Sequence, residues 1–457
     1  MTTEGAAGVA QVYWDPELEA LPWDEVQRWQ AGRLGPWLAG LVARSAFHAD
    51  LLAGVEVPDR LSSLAPLADL PTTTKAQVRA SQADRGPGTP FGRHQGVDLA
   101  HIVQTLSSSG TTGDPVFFAL TAEDLVRWRR AIATAFFTAG VRRTDVAAHL
   151  VGIPGVAGGL PYADGFREVG ATLAWLGGLG TEKIVRTLPL IQATVVLSTT
   201  SFGTYLADRC AELIGRDATS LGVRNLLGGG EPGLAQPEIR QRIKDGWGLD
   251  HVHEIMGLGD VLPVLWAECD DEGGMHFCGQ RSVIVELIDP ASGAPVPWEP
   301  DATGEAVYTT IGREATPALR YRSADHMLVS ATTCPCGRTS PRVRCVGRTD
   351  DMLIYKAMNV FPSAIRDVVM EHVGDRVRPY VRLWKETAEQ VRFDDPIPID
   401  VEAGDVAEAT YRDIAVAVET QVRRHLQIRV SATVVAPGTL PRSAYKTPLV
   451  HVRDADA

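Results

Sequence analysis

Leu106-Ser107-Ser108-Ser109-Gly110-Thr111-Thr112-Gly113-Asp114-Pro115 is the stretch on which the reading of the fold turns. Apolar, strand-like runs flank it at 102–105 and 116–120. Between them, small residues let backbone N–H groups converge on a polyanion, the hydroxyls add donors, and Gly110 and Gly113 permit the tight turns such a cradle needs. The Gly-Lys-Ser/Thr ending of a Walker loop is absent, which disfavours a P-loop NTPase. Taken alone, the same run fits a polar surface hairpin equally well. The rest of the chain has to separate the two.

Immediately downstream, Thr121 and Asp124 form a capping pair for a helix that carries Leu125, Trp128, Ile132 and Phe136 on one face and stops at Gly140. Short β-rich runs at 194–197, 223–227, 283–288 and 306–311, bounded by Gly, Pro or Asp, alternate with helical patterns. Such alternation predicts a parallel or mixed sheet covered by helices. Upstream, Tyr13-Trp14-Asp15-Pro16 opens a helical cap that runs through Leu34, and Leu70-Pro71-Thr72-Thr73-Thr74-Lys75 is a turn into another helix. After Gly347-Arg348-Thr349-Asp350 the pattern restarts with a helix at 362–372 and strands at 377–384 and 397–401. A helix with Tyr411, Ile414, Val418 and Val422 on one face then precedes a strand at 428–435. The predicted fold class is α/β. A large N-terminal region of packed α/β subdomains, residues 1–349, is followed by a small α+β C-terminal domain, residues 350–457.

Composition narrows the function classes. A formal charge of −12 without a basic stripe argues against nucleic acid as a partner. No apolar run reaches membrane-spanning length and no basic-then-apolar leader opens the chain, so a cytoplasmic protein without a membrane partner is expected. Six cysteines in a long chain of this kind are thiols or metal ligands rather than disulfides.

Further motifs recur in order: Gly229-Gly230-Glu231-Pro232, Met256-Gly257-Leu258-Gly259-Asp260, Tyr321-Arg322-Ser323-Ala324-Asp325, Gly347-Arg348-Thr349-Asp350 and Pro441-Arg442-Ser443-Ala444-Tyr445-Lys446. With the phosphate loop, they make the chain resemble the adenylate-forming superfamily of acyl-CoA synthetases, adenylation domains and luciferases, and within it the phenylacetate-CoA ligases, over nearly its whole length. The resemblance implies ATP-dependent activation of a small carboxylic acid, aromatic by family habit, as its acyl-adenylate. Transfer to CoA follows. It gives Ser108, Ser109, Gly110, Thr111, Thr112 and Gly113 to the β- and γ-phosphates and Gly229, Gly230, Glu231 and Pro232 to adenine. Met256 and Gly257 stand where an aromatic-glycine pair flanks adenine, and Asp260 where a carboxylate helps hold Mg²⁺. Asp325 matches the acceptor of the ribose hydroxyls, Arg348 the arginine near ribose and phosphate, and Asp350 the hinge of a mobile C-terminal domain. Lys446 matches the lysine bridging substrate carboxylate and α-phosphate. Catalysis by positioning and charge neutralisation needs these groups and no general base. A homodimer is a further family expectation.

The pattern is also broken in places. Asp114 stands where the family often has lysine, which sets a negative charge beside bound phosphate. Asp260 replaces glutamate, Met256 replaces the aromatic residue, and Ala357 stands about where thioester-forming relatives carry glycine. Those changes keep a second reading open: an adenylate-forming enzyme of specialised metabolism that uses a non-CoA acceptor such as an amine, or that activates nitrite to diazotise an amino-aromatic acid. A non-catalytic nucleotide-binding scaffold is the third, and Lys446 with Asp325 argues against it. A pocket for the acid is expected between His149 and Phe166, where Gly152, Gly155, Gly158 and Gly159 leave room for a ring, and near Glu254.

Finally, Cys334-Pro335-Cys336-Gly337 is a thiol pair in a tight turn, and Cys269, His276 and Cys278 lie upstream. Cys269, His276, Cys334 and Cys336 would make a closed Cys₃His structural zinc site, with Cys278 as a substitute for His276. Reduced thiols beside a surface histidine are the alternative. Cys210, in a helical pattern, reads as core.

Overall fold

The structure is a computed structural model that describes residues 12–56, 60–107, 115–151, 155–230, 233–348, 351–356, 358–387, 390–440 and 448–453. The capping pair is formed as the sequence predicts. The Thr121 hydroxyl accepts from the Asp124 N–H at 3.1 Å and the Asp124 carboxylate accepts from the Thr121 N–H at 3.2 Å, at the head of the helix Ala122–Thr138. The N-terminal cap is a short helix Pro16–Glu19 and a long one, Trp23–Arg44, which continues past Leu34 with Pro36 inside it.

Twelve strands form one continuous mixed sheet. In spatial order they are Pro295–Val296, Val283–Ile288, Thr303–Thr310, Tyr321–Ala331, Arg342–Arg348, Met275–Phe277, Leu262–Glu268, His251–Leu258, Asn225–Gly229, Val195–Ser198, Val146–His149 and Thr172–Trp175. The last five pair in parallel, and their residues are apolar and helix-covered, as parallel strands require. From Pro295–Val296 to His251–Leu258 every pairing in this sheet is antiparallel. The two halves meet where the chain turns from Leu258 to Leu262, and this turn carries Asp260.

Separate apolar clusters cover the sheet. Ile132, Phe136, Phe166, Leu197, Leu227 and Ile255 pack on one face of the parallel half. On the other face Ala148, Val196, Leu226 and Val252 pack with Ile239, Ile243 and Trp247, and that cluster continues into Ile365, Val369, Leu383 and Val418 of the C-terminal part. There, the four-stranded sheet Val430–Val435, Ile397–Ala403, Val377–Lys385, Val450–Val452 carries the helices Pro362–Val373 and Tyr411–Leu426. A smaller sheet orders Met358–Val360, Leu353–Tyr355 and Arg392–Phe393. Among the described residues no helix is long and apolar enough to cross a membrane.

Candidate functional site

The strands flanking the phosphate loop close on each other as an antiparallel hairpin, Ile102–Ser107 against Phe117–Thr121, with Ser107 opposite Phe117. The loop residues Ser108, Ser109, Gly110, Thr111, Thr112, Gly113 and Asp114 lie outside the described residues, as do Gly152, Glu231, Pro232, Asp350, Ala357 and Lys446. The hairpin is fixed to the sheet's C-terminal edge by a bond from the Ser107 N–H to the Gly155 carbonyl, 2.9 Å. Gly229 ends its strand directly against Ile255, so closely that a Cβ there would stand 2.5 Å from the Ile255 carbonyl oxygen. Gly230 follows in the left-handed region at φ +83°, which glycine reaches without strain. A Cβ at Gly257 would collide with the Pro263 carbonyl. Met256, half-buried, packs beside the hairpin's apolar cluster.

Asp325 is held by a distortion of its own strand. Opposite it the pairing slips between Glu305 and Val307, and Ala324 adopts φ +63°. A non-glycine residue pays strain for that conformation. It is maintained by the Glu305 carboxylate, which accepts from the Ala324 N–H at 3.1 Å, and by the Ser323 hydroxyl, which donates to the Ala306 carbonyl at 2.7 Å and accepts from the Asp325 N–H at 3.0 Å. The result is a buried carboxylate whose Oδ1 accepts a 2.8 Å bond from Arg348 Nη1, directly across the sheet. Arg348 also acts on Asp260: burial raises that carboxyl, while Lys75, Arg313 and Arg348 pull it back down. Asp325, Arg348 and Asp260 therefore share one electrostatic neighbourhood.

Two residues of that neighbourhood carry no signal in the sequence. Lys75 opens the helix Lys75–Ala83, whose Thr74–Gln77 capping box and Thr73–Tyr321 bridge hang it on the antiparallel half. Its Nζ stands 3.9 Å from Asp260 Oδ2. Arg313, buried under the rings of Phe118 and Trp128, donates from Nη1 to the carbonyls of Asp260 at 2.6 Å and Val261 at 3.0 Å. Burial lowers its basicity to about 10, against the raising influence of Asp124 and Asp260. Asp260 Oδ1 is buried with no hydrogen-bond partner. An orphaned carboxylate oxygen of this kind fits a cation ligand.

The acid pocket expected between His149 and Phe166 and near Glu254 is divided by the sheet, with His149 and Phe166 on one face and Glu254 on the other, which corrects that reading. His149 stacks on Trp175 with ring centroids 5.2 Å apart and lies near Tyr162 and Phe166 on one face. Its Nε2 is 3.0 Å from the Gly159 carbonyl, Nδ1 has no partner, and burial lowers its pKa to about 4, so the ring is neutral and donates from Nε2. Glu254 faces the other side. Strand alternation sets it with Val252, among Glu268, Arg240, Arg366 and Arg344, and burial raises it to about 8.

Cys269, His276, Cys334 and Cys336 are brought together, with their ligand atoms all within 4.8 Å of one another. Cys269 Sγ lies 3.6 Å from Cys334 Sγ and 3.7 Å from His276 Nε2, and Cys336 Sγ lies 3.4 Å from that nitrogen. Tetrahedral zinc with Zn–S of about 2.3 Å and Zn–N of about 2.0 Å has edges of roughly 3.8 and 3.5 Å. The set fits. Cys278 does not belong to it: it lies past the end of the strand Met275–Phe277, and its thiol is turned to Thr138 Oγ1, 3.9 Å away, and to the His276 carbonyl, 3.5 Å away. Cys210 is fully buried core.

The AMP-binding enzyme C-terminal domain family matches residues 357–454. A phenylacetate-coenzyme A ligase of Aromatoleum evansii is 30% identical over 331 residues, 72% of this chain and 70% of that protein. One of Thermus thermophilus is 29% identical over 446 residues, 94% of this chain and 97% of the relative. Among solved structures, 2-hydroxyisobutyryl-CoA ligase in the postadenylation state with 2-HIB-AMP superposes with a TM-score of 0.88 at 24% identity, covering 99% of this chain and 95% of the other. The same enzyme with 2-HIB-AMP and CoA in the thioesterification state gives 0.70 at 26% identity, with the same coverage.

Proposed function

The chain belongs to the phenylacetate-coenzyme A ligase family of adenylate-forming enzymes, and on that premise we propose that it activates an aromatic carboxylic acid with ATP and then transfers the acyl group to CoA. The observation that carries the site assignment is the Arg348 guanidinium, bonded to the buried Asp325 and acting electrostatically on Asp260. One arginine joins the proposed ribose acceptor to the proposed metal ligand.

In the first half-reaction a carboxylate oxygen of the acid attacks the α-phosphorus, and the bond from that phosphorus to the oxygen bridging to the β-phosphate breaks. Pyrophosphate departs with the electron pair. No proton moves, so the protein's task is to hold two anions together. Asp325 takes the ribose hydroxyls, while Arg348 orients Asp325 and faces the phosphates. The glycine pair Gly229-Gly230 and Met256-Gly257 bound the adenine, and the loop 108–113 cradles the β- and γ-phosphates. Lys446 bridges the acid and the α-phosphate. Mg²⁺, when bound, would supply charge neutralisation at the phosphates. Asp260 would hold it through the unpartnered Oδ1, and Arg313 fixes the Asp260 backbone. In the second half-reaction the CoA sulfur attacks the acyl carbon, the bond from that carbon to the phosphate oxygen breaks, AMP leaves with the electron pair and the thiol proton passes to solvent.

The Lys446-bearing domain, residues 350–457, is proposed to turn about Asp350 between the two. The higher TM-score to the postadenylation state than to the thioesterification state supports reading the present arrangement as the adenylate-forming one. Cys269, His276, Cys334 and Cys336 are proposed to bind a structural zinc, closed to substrate. The test of function is pyrophosphate release with a panel of aromatic acids and with nitrite, each with and without CoA or an amine. Acid-dependent release with a CoA thioester as product supports the proposal. Release that depends on nitrite and yields no thioester overturns it.

A further inference from the structure

Away from the site, on the outer side of the loop that carries Arg313, a 300 Å³ crevice is lined by Trp29, Arg33, Trp37, Arg127, Arg281, Ile311 and Gly312. Three guanidinium groups converge there in a protein of formal charge −12, and no carboxylate is among the lining residues. Their charges are unequally balanced. Arg281 is satisfied by Asp15 at 2.7 and 2.8 Å and by Glu17 at 2.8 Å. Arg33 has no carboxylate partner among the described residues. It lies 3.6 Å over the Trp29 ring, makes a long 3.4 Å bond to the Trp29 carbonyl, and is pushed down by burial and by the neighbouring Arg281 charge. Arg127 has only a 3.8 Å approach to Asp124, whose two oxygens are already taken by the N–H groups of Glu314 and Ala315.

Two buried donors in this lining are orphaned. Arg127 Nη1 and the indole Nε1 of Trp37 have no hydrogen-bond partner, and Trp37 is only 8% exposed. Leaving a buried donor unmade costs on the order of 1–3 kcal/mol, more for a charged group, so two in one crevice call for an acceptor. A solvent molecule accounts for about 30 Å³, so the space exceeds what a bridging water needs. The glycine in the floor lies close against the Arg127 side chain. Gly312, at φ +78°, sets its Cα where a Cβ would stand 3.0 Å from Arg127 Nε.

We propose that this crevice binds a small oxyanion, a phosphate or a carboxylate group, between Arg33 and Arg127, with the Trp37 indole as a neutral donor. Charge-assisted bonds from guanidinium groups give such a ligand both affinity and orientation. The proposal does not depend on the reaction assigned above, because none of these residues is part of that machinery.

Equilibrium dialysis of the full chain against radiolabelled inorganic phosphate and, separately, acetate tests it, with a non-hydrolysable ATP analogue present to fill the nucleotide site. Binding of about one equivalent of either anion is expected, and the better-bound one identifies the group. Arg33→Gln and Arg127→Gln should each weaken binding about tenfold or more, and Trp37→Phe, which removes one N–H, by about threefold, with acid-dependent pyrophosphate release kept. Arg33 is exposed, so its variant folds even where Trp37→Phe does not. No saturable binding of either anion, or binding that all three variants retain at full strength, overturns the proposal.

Discussion

Arg313 shows how a site residue can be decisive and yet silent in sequence. It is one buried cation holding the backbone carbonyls of the proposed metal ligand, Asp260, and of the residue after it, Val261. Arg313→Met would leave both carbonyls unsatisfied and loosen the Asp260 turn. Stability should fall by about 2–4 kcal/mol, read as a lower melting temperature, and the Mg²⁺ concentration for half-maximal activity should rise. An unchanged Mg²⁺ dependence would detach Arg313 from the metal site. Asp325→Ala removes the ribose acceptor and its bond to Arg348; a hundredfold or greater loss of kcat/KM for ATP is expected in steady-state assays. Asp325 was legible because its motif occurs in order with others. Lys75 and Arg313 were not, since what makes them matter is a partner brought close only by folding.

At the scale of elements, the capping pair of Ala122–Thr138 does more than start a helix. Asp124 accepts from Thr121 within the cap and from Glu314 and Ala315 across the fold, at 2.9 and 3.1 Å, tying the helix to the segment that carries Arg313. Asp124→Ala should therefore cost more than an ordinary cap, about 2–4 kcal/mol in denaturant unfolding; a cost near 0.5 kcal/mol would mean the cross-fold bonds contribute little. Periodicity made the cap, the helix and the C-terminal helices readable. The strand Tyr321–Ala331 was not among the strands read, because polar Ser323 and Asp325 occupy two of its buried positions: the residues that build the site erase the pattern that would reveal the strand. The cysteine turn behaves likewise as an element. It carries Arg338, bonded at 2.7 Å to buried Glu19 of the N-terminal helix. Cys334→Ser should lower zinc from about one equivalent per chain to well under half by metal analysis and loosen the N-terminal segment to protease. Less than a tenth of an equivalent in the unsubstituted protein would remove the zinc assignment.

For the whole molecule, stability should depend on pH with a sign fixed by its buried titratable groups. Burial holds His48 at about 3 and His94 and His149 at about 4. The unfolded chain takes up these protons near pH 6.5, so their neutral burial is harmless above that value and destabilising as pH falls from about 6.5 toward 4. Glu254 has the opposite sense. Raised to about 8, it prefers to be protonated when folded, so stability is lost as pH rises from about 4.5 to 8. Thermal scans should thus show a fall on acidification, and Glu254→Gln should flatten the decline toward pH 8; a variant that steepens it would contradict the assigned sign. The mixed sheet was legible as a class. Its continuity was not, because the join between the halves is a short turn at Asp260 that gives no periodic signal. The central claim is that the chain forms an acyl-adenylate with Lys446 as the activating cation. Acid-dependent exchange of pyrophosphate into ATP, measured for the protein and for Lys446→Ala, tests it most directly. The account predicts exchange with an aromatic acid that falls at least about a hundredfold in the variant while ATP binding persists, and equal exchange in both proteins would contradict it.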